Sequence, residues 1–277
     1  MRTLTLPSGQ AIPILGMGTW QMGEQTRHRQ AEINALRHGL DLGLSLIDTA
    51  EMYGEGGAEL VIAEAIANCR AEIFLVSKVY PHNASKKGTI AACDRSLKRL
   101  RTDYLDLYLL HWRGAVPLAE TLEAFQTLQQ AGKIRSYGVS NFDVKDMETA
   151  SHLKGGDAIA TNQVLYNLSR RGIEWQLLPW CRQRGLPIMA YSPIEQGRLL
   201  NYQTLTAMAQ ARGVTTAQIA IAWLLHQDNV IVIPKASSID HVQQNYAALK
   251  LHLSPEELHT LDAAFPPPTR ATPLAML

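Results

Sequence analysis

Cysteine, net charge and long apolar runs are all scarce in this chain of 277 residues. Its three cysteines, Cys69, Cys93 and Cys181, form no CxxC pair, which argues against a disulfide framework and against a metal site. The formal net charge is only +1, so we expect no nucleic-acid partner. No apolar run approaches the roughly 18 residues that span a bilayer, and we expect no membrane association. The first residues lack the apolar region of a secretory signal, which predicts a cytoplasmic protein.

Short apolar runs alternate with amphipathic segments along the whole chain. Each run is separated from the next by enough residues for one strand and one helix. Eight such units would close a (β/α)8 barrel. We also predict an N-terminal β-hairpin turned at Ser8 and Gly9, and extra helices near the C-terminus, in the wide gap before the last strand. The runs begin with one at Leu15 to Thr19, and the later ones end at Asp48, Lys78, His111, Ser140, Asn162, Tyr191 and Pro234.

No linker rich in proline, glycine or serine divides the chain, so we predict a single domain over residues 1–277. The alternative is a doubly wound open sheet, which would need a glycine fingerprint after its first strand. The segment "GMGTWQMG" supplies Gly16 and Gly18, but Gln21 stands where the third glycine should be. The barrel is therefore the favoured fold.

Polar side chains stand at the ends of three separate apolar runs. Asp48, Lys78 and His111 each close a run, and Tyr53 follows in the loop after Asp48. Because the carboxyl ends of barrel strands meet at one face, these four residues are expected to converge. Taken singly they have structural explanations: a helix cap, a surface lysine, a packed ring and a core histidine. Their shared position at the predicted rim favours a catalytic cluster.

The chemistry of the four residues is mutually consistent. A phenol is too weak an acid to protonate a substrate at neutral pH unless a nearby cation favours its anion, and Lys78 is placed to be that cation for Tyr53. Asp48 would keep Lys78 protonated, and a neutral His111 would donate a hydrogen bond to a carbonyl oxygen. The sequence therefore predicts a site that protonates an oxygen atom as negative charge builds on it.

A second candidate site lies in "IPKASSIDHVQQN" near the C-terminus. A strand leads through Lys235 into Ser237 and Ser238, which are good N-cap residues, and Asp240 falls in the first helical turn. A helix N-terminus beside a lysine is a typical phosphate site. An ordinary capped helix is the structural alternative.

The chain resembles the aldo-keto reductases from end to end, and among them the bacterial reductases of methylglyoxal and related small aldehydes. The motifs that carry the resemblance are "LIDTAEMYG", "LVSKV", "LYLLHW", "GKIRSYGVSN", "TNQVLYN", "AYSP" and "VIVIPKASS". It implies hydride transfer from NADPH, with Tyr53 as general acid, Asp48 and Lys78 adjusting it, and His111 orienting the carbonyl.

The resemblance also implies how the cofactor is held. Ser140, Asn141 and Gln163 would contact the carboxamide, and Tyr191 would stack on the nicotinamide. The segment from Lys235 to Ser238 would bind the adenosine 2′-phosphate. His241, Ala236 and Gln244 depart from the arginine, serine and glutamate common there, which weakens the preference for NADPH over NADH. Because Lys235 and two hydroxyls remain, NADPH is still expected to be preferred, with NADH as a weaker alternative. The expected contacts are Gly18, Thr19, Trp20, Asp48, Ser140, Asn141, Gln163, Tyr191, Ser192, Pro193, Gln196, Lys235, Ala236, Ser237, Ser238, His241, Gln244 and Asn245.

Aromatic residues near the predicted strand ends suggest the substrate pocket. Trp20, Tyr80 and Trp112 would line it, together with Tyr53 and His111. The short tail "FPPPTRATPLAML" suggests an open pocket for small α-oxoaldehydes and aromatic aldehydes, in a monomeric enzyme. Two other functions stay open: a Schiff-base lyase that uses Lys78 as nucleophile, and a non-catalytic regulatory subunit that binds the cofactor.

Overall fold

Ten β-strands and ten α-helices follow one another along the chain, and the computed structural model describes residues 1–277. The strands are β1 (Thr3–Thr5), β2 (Ala11–Pro13), β3 (Gly16–Gly18), β4 (Leu46–Asp48), β5 (Phe74–Val79), β6 (Leu105–Leu110), β7 (Ile134–Ser140), β8 (Ile159–Leu165), β9 (Ile188–Tyr191) and β10 (Val230–Val232). The helices are α1 (Arg29–Asp41), α2 (Gly57–Ala65), α3 (Lys86–Leu100), α4 (Leu118–Gln130), α5 (Val144–Ser151), α6 (Leu177–Gln183), α7 (Gln203–Arg212), α8 (Thr216–His226), α9 (Ile239–Ala247) and α10 (Pro255–Ala264).

The eight strands β3 to β10 form one parallel sheet in sequence order, and this sheet closes on itself. At the seam, the Gly18 amide donates to the Pro234 carbonyl at 3.0 Å and the Val232 amide donates to the Ile14 carbonyl at 2.8 Å. Closure removes both sheet edges. The predicted (β/α)8 barrel is thus confirmed, and the open doubly wound sheet is excluded.

The predicted N-terminal hairpin covers one end of the barrel. Strands β1 and β2 pair antiparallel, and Leu6 and Ile12 lie in one buried apolar cluster with barrel residues that include Leu46 and Leu107. Because Leu46 begins β4, this cluster fills the end at which the strands start. The opposite end, where the strands finish, is left for the polar residues.

The helices form in the amphipathic segments between the apolar runs. In α3, Cys93, Leu97 and Leu100 are buried, and the Ser85 hydroxyl accepts the Gly88 amide as N-cap. The wide gap before the last strand holds both α7 and α8, as the sequence indicates. None of the helices is both long and apolar enough to cross a membrane.

The strand ends differ from the predicted ones where side chains find unforeseen partners. Strand β8 continues three residues beyond Asn162, since the Asn162 amide donates to the Phe142 carbonyl at 2.8 Å and so is satisfied inside the barrel wall. Strand β10 ends at Val232, two residues before Pro234, because proline has no amide hydrogen for a ladder bond. Strands β5 and β6 end at Val79 and Leu110, each within one residue of the predicted end.

Candidate active site

Lys78 is the centre of a buried polar cluster at the finishing end of the strands. Its ammonium donates to Asp48 Oδ2 at 2.8 Å, to the Thr49 carbonyl at 2.8 Å and to the Tyr53 hydroxyl at 3.2 Å. The Lys78 side chain is fully buried and that of Asp48 is nearly so. The second Asp48 oxygen accepts from the Gln163 amide at 2.7 Å. The structure therefore brings three of the four predicted catalytic residues into one hydrogen-bonded chain.

The ion pair keeps Lys78 charged despite its burial. Burial alone lowers the pKa of an ammonium, but Asp48 and Tyr53 outweigh it and raise the pKa of Lys78 above its usual value. An ammonium that is charged and has three acceptors has no free electron pair. Its position leaves it as a fixed positive charge next to the phenol of Tyr53.

The pKa of Tyr53 corrects one expectation from the sequence. Burial raises the pKa of this phenol, Lys78 opposes the rise and Asp48 adds to it. The net direction is upward, whereas the sequence suggested that Lys78 would make the phenol a stronger acid. Desolvation is the larger effect because the protein atoms around the hydroxyl displace water that would stabilise the anion, although the side chain is only partly buried. Tyr53 thus holds its proton at neutral pH, with a cation beside the oxygen that would carry the charge once that proton leaves.

His111 lies beside Tyr53 as a neutral ring. The two ring centroids are 5.8 Å apart in an edge-on arrangement. Burial, together with the charge of Lys78, lowers the pKa of His111 to about 2. Its Nδ1 atom is buried and has no hydrogen-bond partner. A neutral imidazole carries one N–H, which can donate the hydrogen bond that the sequence predicts for His111.

The three residues expected at a carboxamide are also linked. The Ser140 hydroxyl donates to the Gln163 carbonyl at 2.8 Å, and the Asn141 amide donates to the Ser140 hydroxyl and to the His111 carbonyl, each at 3.2 Å. The Tyr191 hydroxyl donates to Asn141 Oδ1 at 2.9 Å. The set forms a continuous hydrogen-bonded chain from the ends of β7 and β8 to the end of β9.

The loop after β9 carries Ser192, Pro193 and Gln196, and its anchoring was missed in the sequence. Ser192 and Gln196 have positive φ angles of 50° and 54°. Such backbone is strained for residues other than glycine and persists only when neighbours hold it. Here Asn167 donates to the Ser192 carbonyl at 2.9 Å and to the buried Glu195 at 2.7 Å. The motif "TNQVLYN" contains Asn167, but nothing in it indicates this partner.

The segment around Lys235 lies at the end of β10 and the start of α9. The Ser238 hydroxyl accepts the His241 amide at 3.3 Å and is the N-cap, whereas Ser237 bonds to Lys235 Nζ at 3.4 Å instead. Lys235 and Ser237 line a cavity of about 430 Å³ together with Gln21, Glu24, Gln25, His28, Ala31 and Glu32. His241 is exposed, Gln244 half-buried, and Ala236 and Asn245 buried. The predicted phosphate site is thus a lysine, a hydroxyl and a capped helix end beside one cavity.

Gly18 and Thr19 lie at the seam of the barrel, next to the strand that carries Asp48. The Thr19 amide and hydroxyl both donate to the Asp48 carbonyl, at 3.1 and 2.9 Å. Gly18 bridges to Lys235 across the seam. These contacts connect the Lys78 cluster with the Lys235 segment through neighbouring strands.

Two further aromatic rings adjoin His111. The Tyr80 ring centroid lies 6.4 Å from that of His111 and 5.7 Å from that of Trp112. Trp20, the other predicted lining residue, is 37% exposed and makes no aromatic contact. The structure therefore joins Tyr80 and Trp112 into one wall next to His111, and the place of Trp20 in the pocket stays a prediction.

A larger cavity, of about 650 Å³, lies elsewhere on the molecule. It is formed by residues of α5, the segment after β8, and Ala271 to Ala275. None of the four predicted catalytic residues lines it, so its size does not make it the better candidate.

The chain is similar to known proteins over most of its length. Residues 14–265 match the model of the Aldo/keto reductase family. The sequence is 52% identical over 272 residues to methylglyoxal reductase YeaE of Escherichia coli (strain K12), covering 96% of each protein. It is 34% identical over 263 residues to a glyoxal reductase of Bacillus subtilis (strain 168), covering 94% of this chain and 92% of that one.

Solved structures show the same likeness. A crystal structure of an aldo/keto reductase from Klebsiella pneumoniae, in complex with NADP and acetate, matches with a TM-score of 0.97 and 52% identity, over 99% of each chain. A second one, described as an aldo-keto reductase from Klebsiella pneumoniae in complex with NADPH, has the same TM-score of 0.97.

Proposed function

Because the chain belongs to the aldo/keto reductase family, we propose that this oxidoreductase uses NADPH to reduce small aldehydes and ketones to alcohols. The observation that carries the proposal is the 3.2 Å contact between Lys78 Nζ and the Tyr53 hydroxyl, with Asp48 paired to the same ammonium. That arrangement is suited to giving a proton to a carbonyl oxygen.

In this proposal Tyr53 is the proton donor. Its phenol keeps the proton at neutral pH because burial raises its pKa. As negative charge builds on the substrate oxygen, the Tyr53 proton moves to it, and the phenolate left behind is stabilised by the Lys78 ammonium. Asp48 and the Thr49 carbonyl keep that ammonium in place, so little rearrangement is needed when the charge appears.

His111 fixes the direction of the carbonyl group. A neutral imidazole donates one hydrogen bond without delivering a second proton, and the low pKa of His111, about 2, keeps the ring neutral over the working range of pH. Its ring centroid lies 5.8 Å from that of Tyr53, so the two side chains are close enough to act on the same carbonyl group.

The residues present fit a nicotinamide cofactor. Lys235 and Ser237 beside a cavity of about 430 Å³, at the capped start of α9, suit the adenosine 2′-phosphate. Ser140, Asn141 and Gln163 present amide and hydroxyl groups for the carboxamide, and Tyr191 offers its ring beside them. When bound, NADPH supplies the hydride. The NADP and NADPH complexes of the two Klebsiella pneumoniae proteins support this choice.

For the substrate we propose small α-oxoaldehydes, such as methylglyoxal, and aromatic aldehydes. The names of the Escherichia coli and Bacillus subtilis relatives support the first group. The wall formed by Tyr80 and Trp112 next to His111 supports the second, because planar rings pack on such surfaces. We also infer a single-domain monomer in the cytoplasm, where its three free cysteines would stay reduced.

A Schiff-base lyase that uses Lys78 is disfavoured by the structure. The Lys78 ammonium has three acceptors and a raised pKa, so the neutral amine needed for nucleophilic attack is scarce. The charge of Lys78 does not argue against a regulatory subunit without turnover. Such a subunit would need only the cofactor site, however, and not the complete proton-donating cluster.

The test is a steady-state assay of purified protein with methylglyoxal and benzaldehyde, each with NADPH and with NADH. We expect oxidation of the cofactor, formation of the alcohol, and a higher kcat/KM for NADPH. No alcohol from either aldehyde would overturn the proposed reaction. A higher kcat/KM for NADH would overturn the cofactor assignment alone.

A further inference from the structure

Glu51 is a buried carboxylate next to the candidate site that the proposed mechanism does not use. It is only 8% exposed. Its Oε1 atom accepts hydrogen bonds from the Tyr80 amide at 2.9 Å and from the Asn83 side-chain amide at 3.0 Å. Its Oε2 atom pairs with Arg95 at 3.4 Å. A buried carboxylate with three partners holds those partners firmly.

These bonds connect the two segments that carry the proton-donating cluster. Glu51 lies between Asp48 and Tyr53, and its own amide donates to the Lys78 carbonyl at 3.3 Å. Tyr80 lies two residues after Lys78. The Glu51 carboxylate therefore joins the loop after β4 to the chain that leaves β5.

Tyr80 depends on Glu51 for its position. The Tyr80 backbone makes two hydrogen bonds: its carbonyl accepts the Asn83 amide in a turn, and its amide donates to Glu51. The Tyr80 ring contacts His82, His111 and Trp112 through faces and edges only. Such contacts allow the ring to shift, whereas the backbone hydrogen bond to Glu51 fixes the position of the main chain that carries the ring.

We propose that Glu51 is a positioning residue that sets the distance between the Tyr80 ring and His111, and so shapes the site for aldehydes with a planar substituent. This inference rests on the proposed function. Glu51 touches neither the substrate nor the cofactor, and it acts through Tyr80. Its effect falls on substrate binding more than on proton transfer, because Tyr80 belongs to the wall and not to the Lys78 cluster.

Four variants separate this role from a general loss of structure. Glu51→Ala leaves the Tyr80 amide and the Asn83 amide without their acceptor. Glu51→Gln keeps an oxygen that can accept from both and removes only the charge toward Arg95. Arg95→Met removes the ion pair alone. Glu55→Gln is the matched control, since Glu55 lies in the same loop, is exposed and makes no side-chain hydrogen bond.

The first readout is amide hydrogen exchange measured on the full-length protein, and it does not depend on turnover. In Glu51→Ala we expect exchange at Tyr80 to be about tenfold faster or more, because a buried bond to a charged acceptor is lost. Exchange within β8, on a different part of the barrel, should stay unchanged. Glu51→Gln, Arg95→Met and Glu55→Gln should keep the protection of Tyr80.

The second readout is the split between KM and kcat. For benzaldehyde, Glu51→Ala should raise KM about three- to tenfold through a misplaced wall. The KM for NADPH should not change, and Glu51→Gln should restore the benzaldehyde KM. Unchanged exchange at Tyr80, or faster exchange with an unchanged KM for benzaldehyde, would overturn the proposal. If the wild-type protein reduces no aldehyde, the proposed function fails, and the exchange result alone decides whether Glu51 holds Tyr80.

Discussion

The Lys78 ammonium is the group to which the other polar residues of the site are tied. It contacts Asp48, the Thr49 carbonyl and Tyr53 from a fully buried position. Removing one member of a buried ion pair leaves the other charge without compensation. Stability and reactivity at this site are therefore coupled, and a pair of variants can separate them.

We predict that Lys78→Met lowers the free energy of unfolding by about 3–5 kcal/mol, because Asp48 stays charged and buried without its partner. The double variant that adds Asp48→Asn should recover much of that loss, since the neutral amide oxygen would still accept from Gln163. Both proteins should reduce methylglyoxal at least roughly 10²-fold more slowly. Urea unfolding curves and the NADPH assay measure the two quantities.

Two results would contradict this prediction. Recovery of activity together with stability in the double variant would mean that the Lys78 charge has no part in the reaction. An unchanged unfolding free energy in Lys78→Met would mean that the ion pair with Asp48 is not formed as described.

His111 gives the stability a specific dependence on pH. Its pKa is lowered from 6.5 in an ordinary histidine to about 2 in the folded protein. Below pH 6.5 the unfolded chain therefore binds a proton that the folded chain does not, and stability falls as the pH falls, by up to about 1.4 kcal/mol per pH unit. His111→Gln should remove this contribution. Unfolding curves from pH 4.5 to 8 should show a steeper acid loss for the wild-type protein, and parallel curves would refute the low pKa.

The sequence predicts residues better than it predicts their partners. Asp48, Tyr53, Lys78 and His111 could be selected because each lies at or just after the end of an apolar run, and strand ends converge in a barrel. The roles of Glu51, Glu195 and the Thr49 carbonyl could not, since the partner that defines each role is 28 or 29 positions away in the chain and no spacing rule connects them. The upward shift in the pKa of Tyr53 depends on how far the surrounding atoms exclude water from its hydroxyl, which only the packed structure reveals.

At the scale of the element, α9 combines a structural cap with a candidate phosphate site. Ser238 accepts the His241 amide, and Lys235 lies just ahead of the helix. The start of α10 offers a comparison without a ligand, because Ser254 caps that helix in the same way. Substitution of each serine in turn therefore separates an effect on helix capping from an effect on phosphate binding.

We predict that Ser238→Ala and Ser254→Ala each lower stability by about 1 kcal/mol through loss of the cap. Only Ser238→Ala should also weaken NADPH binding, and it should weaken NADH binding less, because we propose that the 2′-phosphate binds near this helix end. Thermal unfolding and fluorescence titration with both cofactors provide the measurements. Equal losses for NADPH in the two variants would argue against a phosphate site at α9.

The sequence predicts the number of barrel strands better than it predicts the residues at which they end. The alternation of runs and amphipathic segments locates all eight barrel strands, because strands that are buried on both faces read as continuous apolar stretches. The predicted end of β8 is too early because polar residues interrupt the apolar run at Asn162. In the structure the Asn162 and Gln163 side chains form hydrogen bonds inside the barrel wall, and the strand continues. Ser237 and Ser238 are equally good caps by sequence, and only the turn geometry selects Ser238.

At the scale of the molecule, closure of the barrel brings the two candidate sites together. The seam between β3 and β10 places Gly18 against Lys235, while Thr19 holds the Asp48 carbonyl. The backbones approach so closely that a Cβ atom on Gly18 would lie 2.8 Å from the Ile233 carbonyl oxygen. A side chain at this position would push the two strands apart.

We therefore predict that Gly18→Ala destabilises the protein by about 2 kcal/mol or more and weakens NADPH binding, since the clash is with backbone. Gly9→Ala is the comparison: Gly9 has φ +84° but nothing within 4 Å, so the only cost should be backbone strain of about 1 kcal/mol. Calorimetry and cofactor titration measure both effects. Equal destabilisation with unchanged NADPH binding would mean that the seam does not support the site.

The order of the barrel strands also follows from the sequence, because parallel strands joined by single helices pair with their neighbours in the chain. Closure is predicted from the number of units alone. The covering of the other end by Leu6 and Ile12 is not predicted, since a hairpin by itself does not show what it packs against.

We propose that Tyr53 delivers the proton to the carbonyl oxygen, and the variant Tyr53→Phe tests this role. The variant keeps the ring and removes only the hydroxyl that contacts Lys78. In the NADPH assay with methylglyoxal we expect kcat to fall roughly 10²- to 10⁴-fold while the dissociation constant for NADPH stays nearly unchanged. A kcat close to that of the wild-type protein, with the cofactor still bound, would show that the proton comes from another group.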